Sequence, residues 1–352
     1  MKKIVMTGGG TAGHVTPNIA LMPYLKNEGY EIYYIGSYTG IEKKLIEATG
    51  TEYFGISSGK LRRYHDWKNF TDPFRVIKGF HEANQLMKHL QPDVVFSKGG
   101  FVSVPVVMAA ARNHIPAIIH ESDMTPGLAN KLAIPSATKV CCNFPETIQY
   151  LPENKAVLTG SPIRKELLSG SKEAGLEYCG FTPDKPVLLI MGGSIGSVFI
   201  NNAVWGSLDN LLEKFQIVHL VGKGNINHEL ENKPGYKQFA FISDRLNDVF
   251  AMTDLMISRA GANSICEILA LKIPNILIPL SASASRGDQI LNAASFEKQG
   301  FSTVLQEEEL TAEILEKTVE NVFARREEII STMQKSTVLD ANKTIIELIK
   351  SL

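Results

Sequence analysis

The sequence repeatedly places glycine or serine where an apolar stretch ends and a helix is expected to begin. The clearest cases are residues 8–14, 97–103, 192–197 and 259–267. Such a turn leaves backbone N–H groups unpaired at the positive end of a helix dipole, where phosphate oxygens bind readily. These turns predict anion binding, and two anionic ligands, one in each half of the chain, account for them economically.

The turn at residues 259–267 offers a carboxylate as well as amides. Gly261 stands where the apolar residues 255–258 turn into a helix, and Glu267 follows about two turns later. A carboxylate in that position suits the two hydroxyls of a ribose, as in other nucleotide sites. The alternative is a simple strand-to-helix connection with a glycine for geometry.

The first turn has the glycine spacing of a dinucleotide site at Gly8, Gly10 and Gly13. The acidic residue expected after the second strand is absent, since residues 34–37 read Tyr-Ile-Gly-Ser, which disfavours a nicotinamide cofactor. His14 in this turn is a candidate to donate to a diphosphate or to accept a proton from an attacking hydroxyl. A helix-capping or merely polar histidine is the alternative.

Ionisable groups also follow the apolar strand that ends at His120, where Glu121, Ser122 and Asp123 stand in a row. Charged groups at a strand end face a ligand cleft more often than the core, so an acid or base is expected here. In the second half, Ser194 suits a phosphate and Gln289 suits a sugar.

Composition excludes several classes of protein. The 352 residues suffice for two domains, and 44% hydrophobic and 21% charged residues describe an ordinary globular chain. The net charge of −1 gives no indication of nucleic acid as a partner. The four cysteines lack CxxC spacing, so we expect a reduced, cytosolic chain, with Cys141 and Cys142 in the core. No stretch is apolar for long enough to cross a bilayer.

Strand-length and helix-length segments alternate through the first half, which predicts a parallel sheet covered on both faces. The predicted strands are 3–7, 31–36, 93–96, 117–120 and 139–142, and the predicted helices are 17–27, 41–48, 72–89 and 102–113. A second series of strands is predicted at 186–191, 216–221, 238–242, 254–258 and 275–279. Two Rossmann-like halves joined near Pro162 are therefore expected. Residues 335–352 have helical periodicity and are expected to pack back on the first half.

These motifs, in this order, resemble the MurG family. The resemblance is carried by residues 8–14, 98–103, 120–121, 160–164, 192–194, 259–267 and 288–289, so it extends along nearly the whole chain. It implies an α/β protein of GT-B fold, with two Rossmann-like domains facing across a cleft. Residues 1–162 would form the acceptor and membrane-facing domain, with a C-terminal helix at about 337–352 packed on it. Residues 163–336 would form the UDP-sugar domain.

The resemblance also implies an activity and its location. The family's enzymes transfer N-acetylglucosamine from its UDP derivative to the undecaprenyl-pyrophosphoryl-N-acetylmuramyl-pentapeptide acceptor of peptidoglycan synthesis. We expect inverting displacement by the acceptor C4 hydroxyl, on the cytoplasmic side of the cell membrane, by a peripheral protein. No DxD-type carboxylate pair is evident, so we expect no obligatory metal or cofactor.

Site residues carried over by the resemblance fall into three groups. Near the reacting centre would lie His14, the first choice of base, and Glu121, the second. The UDP-N-acetylglucosamine contacts would be Thr11, Ala12, Gly13, Asp123, Arg164, Ser194, Ile242, Ala262, Asn263, Ser264, Ile265, Cys266, Glu267 and Gln289. Gly10, Gly99, Gly100, Phe101 and Ser103 would bind the acceptor.

The sequence departs from the family pattern in two motifs. Ala12 replaces the first glycine of the usual Thr-Gly-Gly, which adds a methyl group at a point of close backbone approach. Ser122 and Asp123 replace the Gln-Asn of the commoner His-Glu-Gln-Asn, so a carboxylate stands where an amide would touch the donor sugar. Asp123 is therefore a sugar contact, a base, or neither.

Residues 59–68 and the following helix combine aromatic and basic residues, a pattern that suits an anionic membrane surface. Phe74, Ile77 and Phe80 are the apolar members of this predicted membrane patch. The alternative is an amphipathic helix that packs inward.

Three other functions stay open at this point. A UDP-N-acetylglucosamine 2-epimerase has the same fold and donor, but it would isomerise the sugar without an acceptor. A related glycosyltransferase would use a different lipid acceptor. A non-catalytic nucleotide-sugar binding protein would not need glycine turns in both halves.

Overall fold

The computed structural model describes residues 2–59, 68–193, 195–283, 287–338 and 340–352, with the backbone alone at 68–74. In chain order the strands are β1 (Lys2–Thr7), β2 (Tyr30–Ser37), β3 (Glu52–Ile56), β4 (Val94–Ser97), β5 (Ala117–Glu121), β6 (Lys139–Cys142), β7 (Ala156–Leu158), β8 (Val187–Met191), β9 (Gln216–Leu220), β10 (Tyr236–Phe239), β11 (Leu255–Ser258), β12 (Asn275–Leu277) and β13 (Thr303–Val304). The helices are α1 (Thr16–Asn27), α2 (Ile41–Glu47), α3 (Lys68–Leu90), α4 (Ser103–Arg112), α5 (Leu128–Ala133), α6 (Lys172–Cys179), α7 (Val198–Gly206), α8 (Leu208–Lys214), α9 (Leu246–Met252), α10 (Ala262–Leu271), α11 (Asp288–Lys298), α12 (Ala312–Ala324), α13 (Arg326–Gln334) and α14 (Ala341–Lys350).

The chain divides into two compact units. Unit 1 comprises Met1–Arg164 and Asp340–Leu352, and unit 2 comprises Lys165–Leu339. The division falls two residues after the predicted boundary at Pro162.

Each unit contains one all-parallel sheet. The strand order is β3-β2-β1-β4-β5-β6-β7 in unit 1 and β10-β9-β8-β11-β12-β13 in unit 2. The order reverses between β1 and β4, and again between β8 and β11. Ligands of open α/β sheets bind beyond the carboxyl ends of the strands at such a switch point.

Both faces of the unit 1 sheet are covered, as its continuous apolar strands predict. Val5 packs with Ala83 of α3 and Val106 of α4 on one face. Ile4 and Met6 pack with helices α1 and α14 on the other, where Ile345, Ile346 and Ile349 of α14 are buried. The terminal helix therefore completes the core of unit 1.

The predicted core cysteines lie on opposite faces of β6, Cys141 with the α1 and α14 layer and Cys142 with the α3 and α4 layer. Burial raises the pKa of each thiol to about 12, so neither is a thiolate near neutral pH. Their assignment to the core is confirmed.

Three short strands were not predicted, and one strand lies a few residues before its predicted range. β3, β7 and β13 are edge strands whose two to five residues carry little periodic signal. The predicted strand 238–242 is observed at Tyr236–Phe239 because β10 pairs with β9 only over that register. Ile242 therefore lies in the loop beyond the strand.

Candidate functional site

The two glycine turns of unit 1 follow β1 and β4, the strands that flank the switch point, and they interlock. The backbone N–H of Gly9 donates to the carbonyl of Gly99 at 3.3 Å. Gly100 has a φ of +86°, and a Cβ there would stand 2.2 Å from the carbonyl oxygen of Gly9. Only glycine allows the two turns to approach so closely.

Glu42 holds the first turn in place through hydrogen bonds to its side-chain carboxylate, a role that was not predicted from the sequence. Its carboxylate is fully buried and accepts from the N–H of Gly10 at 3.2 Å, the N–H of Ser37 at 3.0 Å and the hydroxyl of Ser37. The available signal was an acidic residue in the first turn of α2, two residues after the N-cap Gly40. It is easily mistaken for a routine dipole-compensating acid.

His14 ends the single 3-10 turn Ala12–His14 that follows the glycines. Its Nδ1 lies 2.9 Å from the carbonyl oxygen of Gly9, which can only accept, so Nδ1 carries the hydrogen and Nε2 keeps its lone pair. Burial is the largest cause that lowers the pKa of His14, and Lys98 adds to it. The bond to Gly9 and the charges of Asp123 and Glu42 act in the opposite direction. A neutral imidazole with Nε2 as acceptor is the form that a general base requires.

His120 and Glu121 are both buried at the end of β5, but they serve the fold. Glu121 accepts from the N–H of Asp123 at 3.0 Å, the N–H of Gly127 at 3.0 Å and the side-chain amide of Asn130 at 2.8 Å. Burial raises the pKa of Glu121, and these three bonds counter it. Both carboxylate oxygens thus hold the loop that carries Asp123, and the geometry favours His14 over Glu121 as the base.

The remaining predicted residues of unit 1 vary in exposure. Gly10, Thr11 and Ala12 are exposed, and Gly13, Asp123 and Phe101 are half-buried. Ser103 is buried and its hydroxyl donates to the carbonyl of Gly100 at 2.7 Å. Ser103 therefore shapes the second turn, and its contact with the acceptor stays a prediction.

The turns of unit 2 follow β8 and β11, which again flank the switch point. Gly193 and Gly196 have φ values of +94° and +81°, and a Cβ on Gly196 would stand 2.0 Å from the carbonyl oxygen of Val221. Ser197 caps α7 by accepting from the N–H of Ile200 at 3.3 Å. Ser194, the predicted phosphate contact, lies outside the described residues.

Helix α10 begins at Ala262, and its N-cap residue, Gly261, provides no side-chain hydrogen bond to the first N–H groups. That end of the helix dipole suits a phosphate. Asn263, Ser264 and Glu267 are half-buried along the first turns. The side chains of Ala262, Ile265 and Cys266 are buried, so their predicted contact with the donor would be made by backbone atoms.

The other predicted donor contacts lie on separate elements. Ile242 is 4% exposed, which agrees with a contact through its backbone, and Gln289 on α11 accepts from the N–H of Leu280 at 3.0 Å. Arg164 is half-buried and is the last residue of the first segment of unit 1.

The predicted membrane patch is only partly described. Residues 60–67 and the side chain of Phe74 lie outside the described part of the chain. Ile77 on α3 is 66% exposed, beside exposed Arg75 and Lys78. Phe80 is half-buried and packs against the core, because it lies toward the sheet-facing side of α3. This packing favours the alternative of an inward-facing side chain for Phe80.

In the described ranges, no helix is long and apolar enough to cross a membrane. The same residues contain no group of three or more His, Cys, Asp or Glu side chains placed to hold a metal ion. Independence of metals remains a prediction.

Comparison with known proteins assigns this pair of α/β units to a class. Residues 4–142 match the glycosyltransferase family 28 N-terminal domain, and residues 187–349 match the family 28 C-terminal domain. A crystal structure of Acinetobacter baumannii MurG superposes with a TM-score of 0.79 at 24% identity over 100% of both chains. The calicheamicin glycosyltransferase CalG4 has a TM-score of 0.69 at 14% identity, over 100% of this chain and 98% of that one. The chain is a glycosyltransferase of the GT-B class.

The family within that class follows from sequence identity. The UDP-N-acetylglucosamine–N-acetylmuramyl-(pentapeptide) pyrophosphoryl-undecaprenol N-acetylglucosamine transferase of Lachnospira eligens is 63% identical over 350 residues, 99% of each chain. The enzyme of the same name from Lachnoclostridium phytofermentans is also 63% identical, and one from Clostridium botulinum is 60% identical, each over 99% of both chains. The chain belongs to this transferase family, MurG, as its motifs predict.

Proposed function

We propose that this chain transfers N-acetylglucosamine from UDP-N-acetylglucosamine to the undecaprenyl-linked N-acetylmuramyl-pentapeptide, which converts lipid I to lipid II in peptidoglycan synthesis. The observation that carries the proposal is 63% identity over 99% of the chain to transferases of that name. Amide-lined turns at the switch point of each sheet support it, because both substrates carry a diphosphate group.

The chemical step we propose is an inverting displacement. The acceptor C4 hydroxyl oxygen forms a bond to the anomeric carbon, the bond from that carbon to the UDP oxygen breaks, and the hydroxyl proton passes to Nε2 of His14. The neutral imidazole, oriented through Nδ1 by the carbonyl of Gly9, suits this role.

Charge develops on UDP as it leaves and must be neutralised. We assign this to the N–H groups that begin α10 and to Arg164, with Ser194 as a further donor. Glu267 would hold the ribose hydroxyls, Gln289 the N-acetylglucosamine and the backbone of Ile242 the uracil. Gly10, Gly99 and Gly100 would bind the acceptor diphosphate.

Membrane association is a further part of the proposal. We infer peripheral binding at the cytoplasmic face of the cell membrane, where the lipid-linked acceptor would be met. Support comes from the exposed Arg75, Ile77 and Lys78 on one helix of unit 1.

An assay with radiolabelled UDP-N-acetylglucosamine, with and without the muramyl lipid, tests the proposal. We expect label in the lipid fraction only when the acceptor is present, and the same yield after chelation with EDTA. Isomerised sugar from donor alone would indicate the epimerase. A putative 2-epimerase from Listeria monocytogenes has a TM-score of 0.72 at 12% identity, a likeness of fold alone. Label in diacylglycerol instead of the muramyl lipid would indicate a different acceptor.

A further inference from the structure

Lys98 is a buried cation that the proposed chemistry does not yet use. It follows β4 directly and is 1% exposed. Its ammonium nitrogen lies 2.8 Å from Nδ1 of His120 and 2.5 Å from the hydroxyl oxygen of Ser122. A buried ammonium is costly unless it is well paired, so a lysine is a poor choice for packing alone.

The hydrogen bonds of His120 show which of its ring nitrogens donates and which accepts. Nε2 of His120 lies 2.8 Å from the carbonyl oxygen of Gly160, which can only accept, so Nε2 carries the hydrogen. Nδ1 is then an acceptor, and the group that donates to it is the Lys98 ammonium. Burial, with the charge of Lys98 next in size, holds the pKa of His120 well below its usual range. The neutral ring therefore links the Lys98 ammonium to Gly160, in the loop that follows β7.

Lys98 is also close to the elements that carry the proposed base and Asp123. A Cβ added to Gly8, at the start of the turn that ends in His14, would stand 3.3 Å from the Cβ of Lys98. Its ammonium holds Ser122, whose carbonyl also accepts from the side chain of Asn143 at 2.8 Å, and Asp123 is the next residue. The Lys98 side chain thus contacts the Ser122–Asp123 turn directly, and its backbone N–H donates to Thr7, the last residue before the turn that ends in His14, at 2.9 Å.

We propose that Lys98 is a positioning residue for the transfer reaction: its ammonium anchors the Ser122–Asp123 turn and places a fixed positive charge within electrostatic reach of His14. The proposal rests on the proposed function of His14 as base. Asp123 and Glu42, which also face His14, are negative and favour the imidazolium, whereas the base must be neutral. Burial is the main cause that lowers the pKa of His14, and the charge of Lys98 adds to it and opposes the two carboxylates. The ionisable groups that face Lys98 itself are His120, His14 and Cys141.

The test separates the charge of Lys98 from its anchoring role. The pKa of His14 would be measured by NMR titration of its imidazole, assigned by comparison with His14→Gln, in wild type, Lys98→Met, Lys98→Arg and Ser122→Ala. We expect the pKa of His14 to rise in Lys98→Met and to stay near the wild-type value in Lys98→Arg and Ser122→Ala. An unchanged pKa in folded Lys98→Met would overturn the proposal, as would an equal rise in Lys98→Arg.

Kinetics supply the second readout. In Lys98→Met the acid limb of the kcat profile should move to higher pH with the imidazole. Ser122→Ala should lower kcat by roughly tenfold at all pH values without moving that limb, because a misplaced turn reduces the rate without altering the base. An unaltered kcat in Ser122→Ala would refute the anchoring role.

If Lys98→Met does not fold, ¹⁵N NMR of the wild-type Lys98 side chain decides, since a neutral amine at pH 7.5 contradicts the proposal and an ammonium supports it. The NMR measurements need no substrate, so a failure of the transfer assay would be distinguishable from a failure here.

Discussion

The guanidinium of Arg259 and the carboxylate of Glu307 form a buried ion pair at the carboxyl edge of the unit 2 sheet. Arg259 also donates to the carbonyls of Ile278 and Pro279 at 3.1 and 3.2 Å and to the hydroxyl of Ser197 at 2.6 Å. One side chain therefore connects the ends of β11 and β12 with the cap of α7. It holds in place the turns that we assign to the donor diphosphate.

Glu307→Gln should destabilise unit 2 by about 3 kcal/mol, because removing one partner of a buried pair leaves the other charge uncompensated. Urea unfolding followed by Trp205 fluorescence measures this, in a Trp67→Phe background so that only unit 2 reports. Exposed Glu308→Gln is the matched control and should change stability by less than about 0.5 kcal/mol. Equal stabilities of the two variants would show that the pair contributes nothing.

Glu42→Gln should loosen the turn that carries His14. The site presents the N–H groups of Gly10 and Ser37 and a serine hydroxyl, and a glutamine amide would turn its NH₂ group toward one of these donors. We expect a loss of about 1–3 kcal/mol in stability and roughly tenfold in kcat, since a small misplacement of the base is costly. Glu47→Gln, on the exposed side of the same helix, is the control. Wild-type kcat in Glu42→Gln would remove Glu42 from the positioning of His14.

Gly100→Ala should abolish activity, because the added methyl would meet the carbonyl oxygen of Gly9 and force the two turns of unit 1 apart. Gly50→Ala is the matched control: Gly50 has a φ of +71° but open space around it, so it suffers only backbone strain of about 1 kcal/mol. Comparing kcat/KM for the acceptor in both variants separates strain from collision. Similar activity in the two would mean that the close approach is unimportant.

His219 should make the stability of unit 2 depend on pH. Its Nε2 donates to Asn201 at 2.9 Å, its Nδ1 accepts from the hydroxyl of Tyr236 at 3.0 Å, and Trp205 donates to that hydroxyl at 3.0 Å. Burial lowers the pKa of His219 from 6.5 to about 3, so on acidification the unfolded chain takes up the proton first. The stabilisation is complete above about pH 6.5 and is lost as the pH falls toward 3, at up to about 1.4 kcal/mol per pH unit.

Urea unfolding at several pH values between 4.5 and 7.5, again followed by Trp205, checks this slope. His219→Gln supplies a donor and an acceptor without a titrating group, so its stability should fall less steeply over the same range. Parallel slopes for wild type and variant would rule out His219 as the source.

Ile77→Ser should weaken binding to vesicles that contain anionic phospholipid, because Ile77 is an exposed apolar side chain on α3 and lies beside exposed Arg75 and Lys78. Loss of its insertion should reduce the partition coefficient by roughly fivefold. Ile41→Ser is the control, since Ile41 is 50% exposed but lies on a different helix of unit 1. Co-sedimentation with vesicles measures both, and an equal effect of the two changes would argue against a patch on α3.

Short-range pattern accounts for much of what the sequence could predict. Alternation of apolar strands and helices gave the parallel sheets, and glycine clusters at strand ends marked the four turns that flank the two switch points. The three missed strands are short and lie at sheet edges, where pairing partners and not periodicity define them.

The sequence by itself determined the fold class, the family and the location of the ligand turns, because these depend on local residue order and on similarity to relatives. Only the tertiary structure decided which polar residues hold the turns and which remain available for chemistry. Glu42, Lys98 and Arg259 resemble ordinary surface charges in the sequence, yet each is buried against partners from other elements. Glu121, the second candidate for the base, accepts hydrogen bonds from three donors. The physical reason is that burial and hydrogen-bond partners at long sequence separation set the role of a charged group, and neither is encoded in its immediate neighbours.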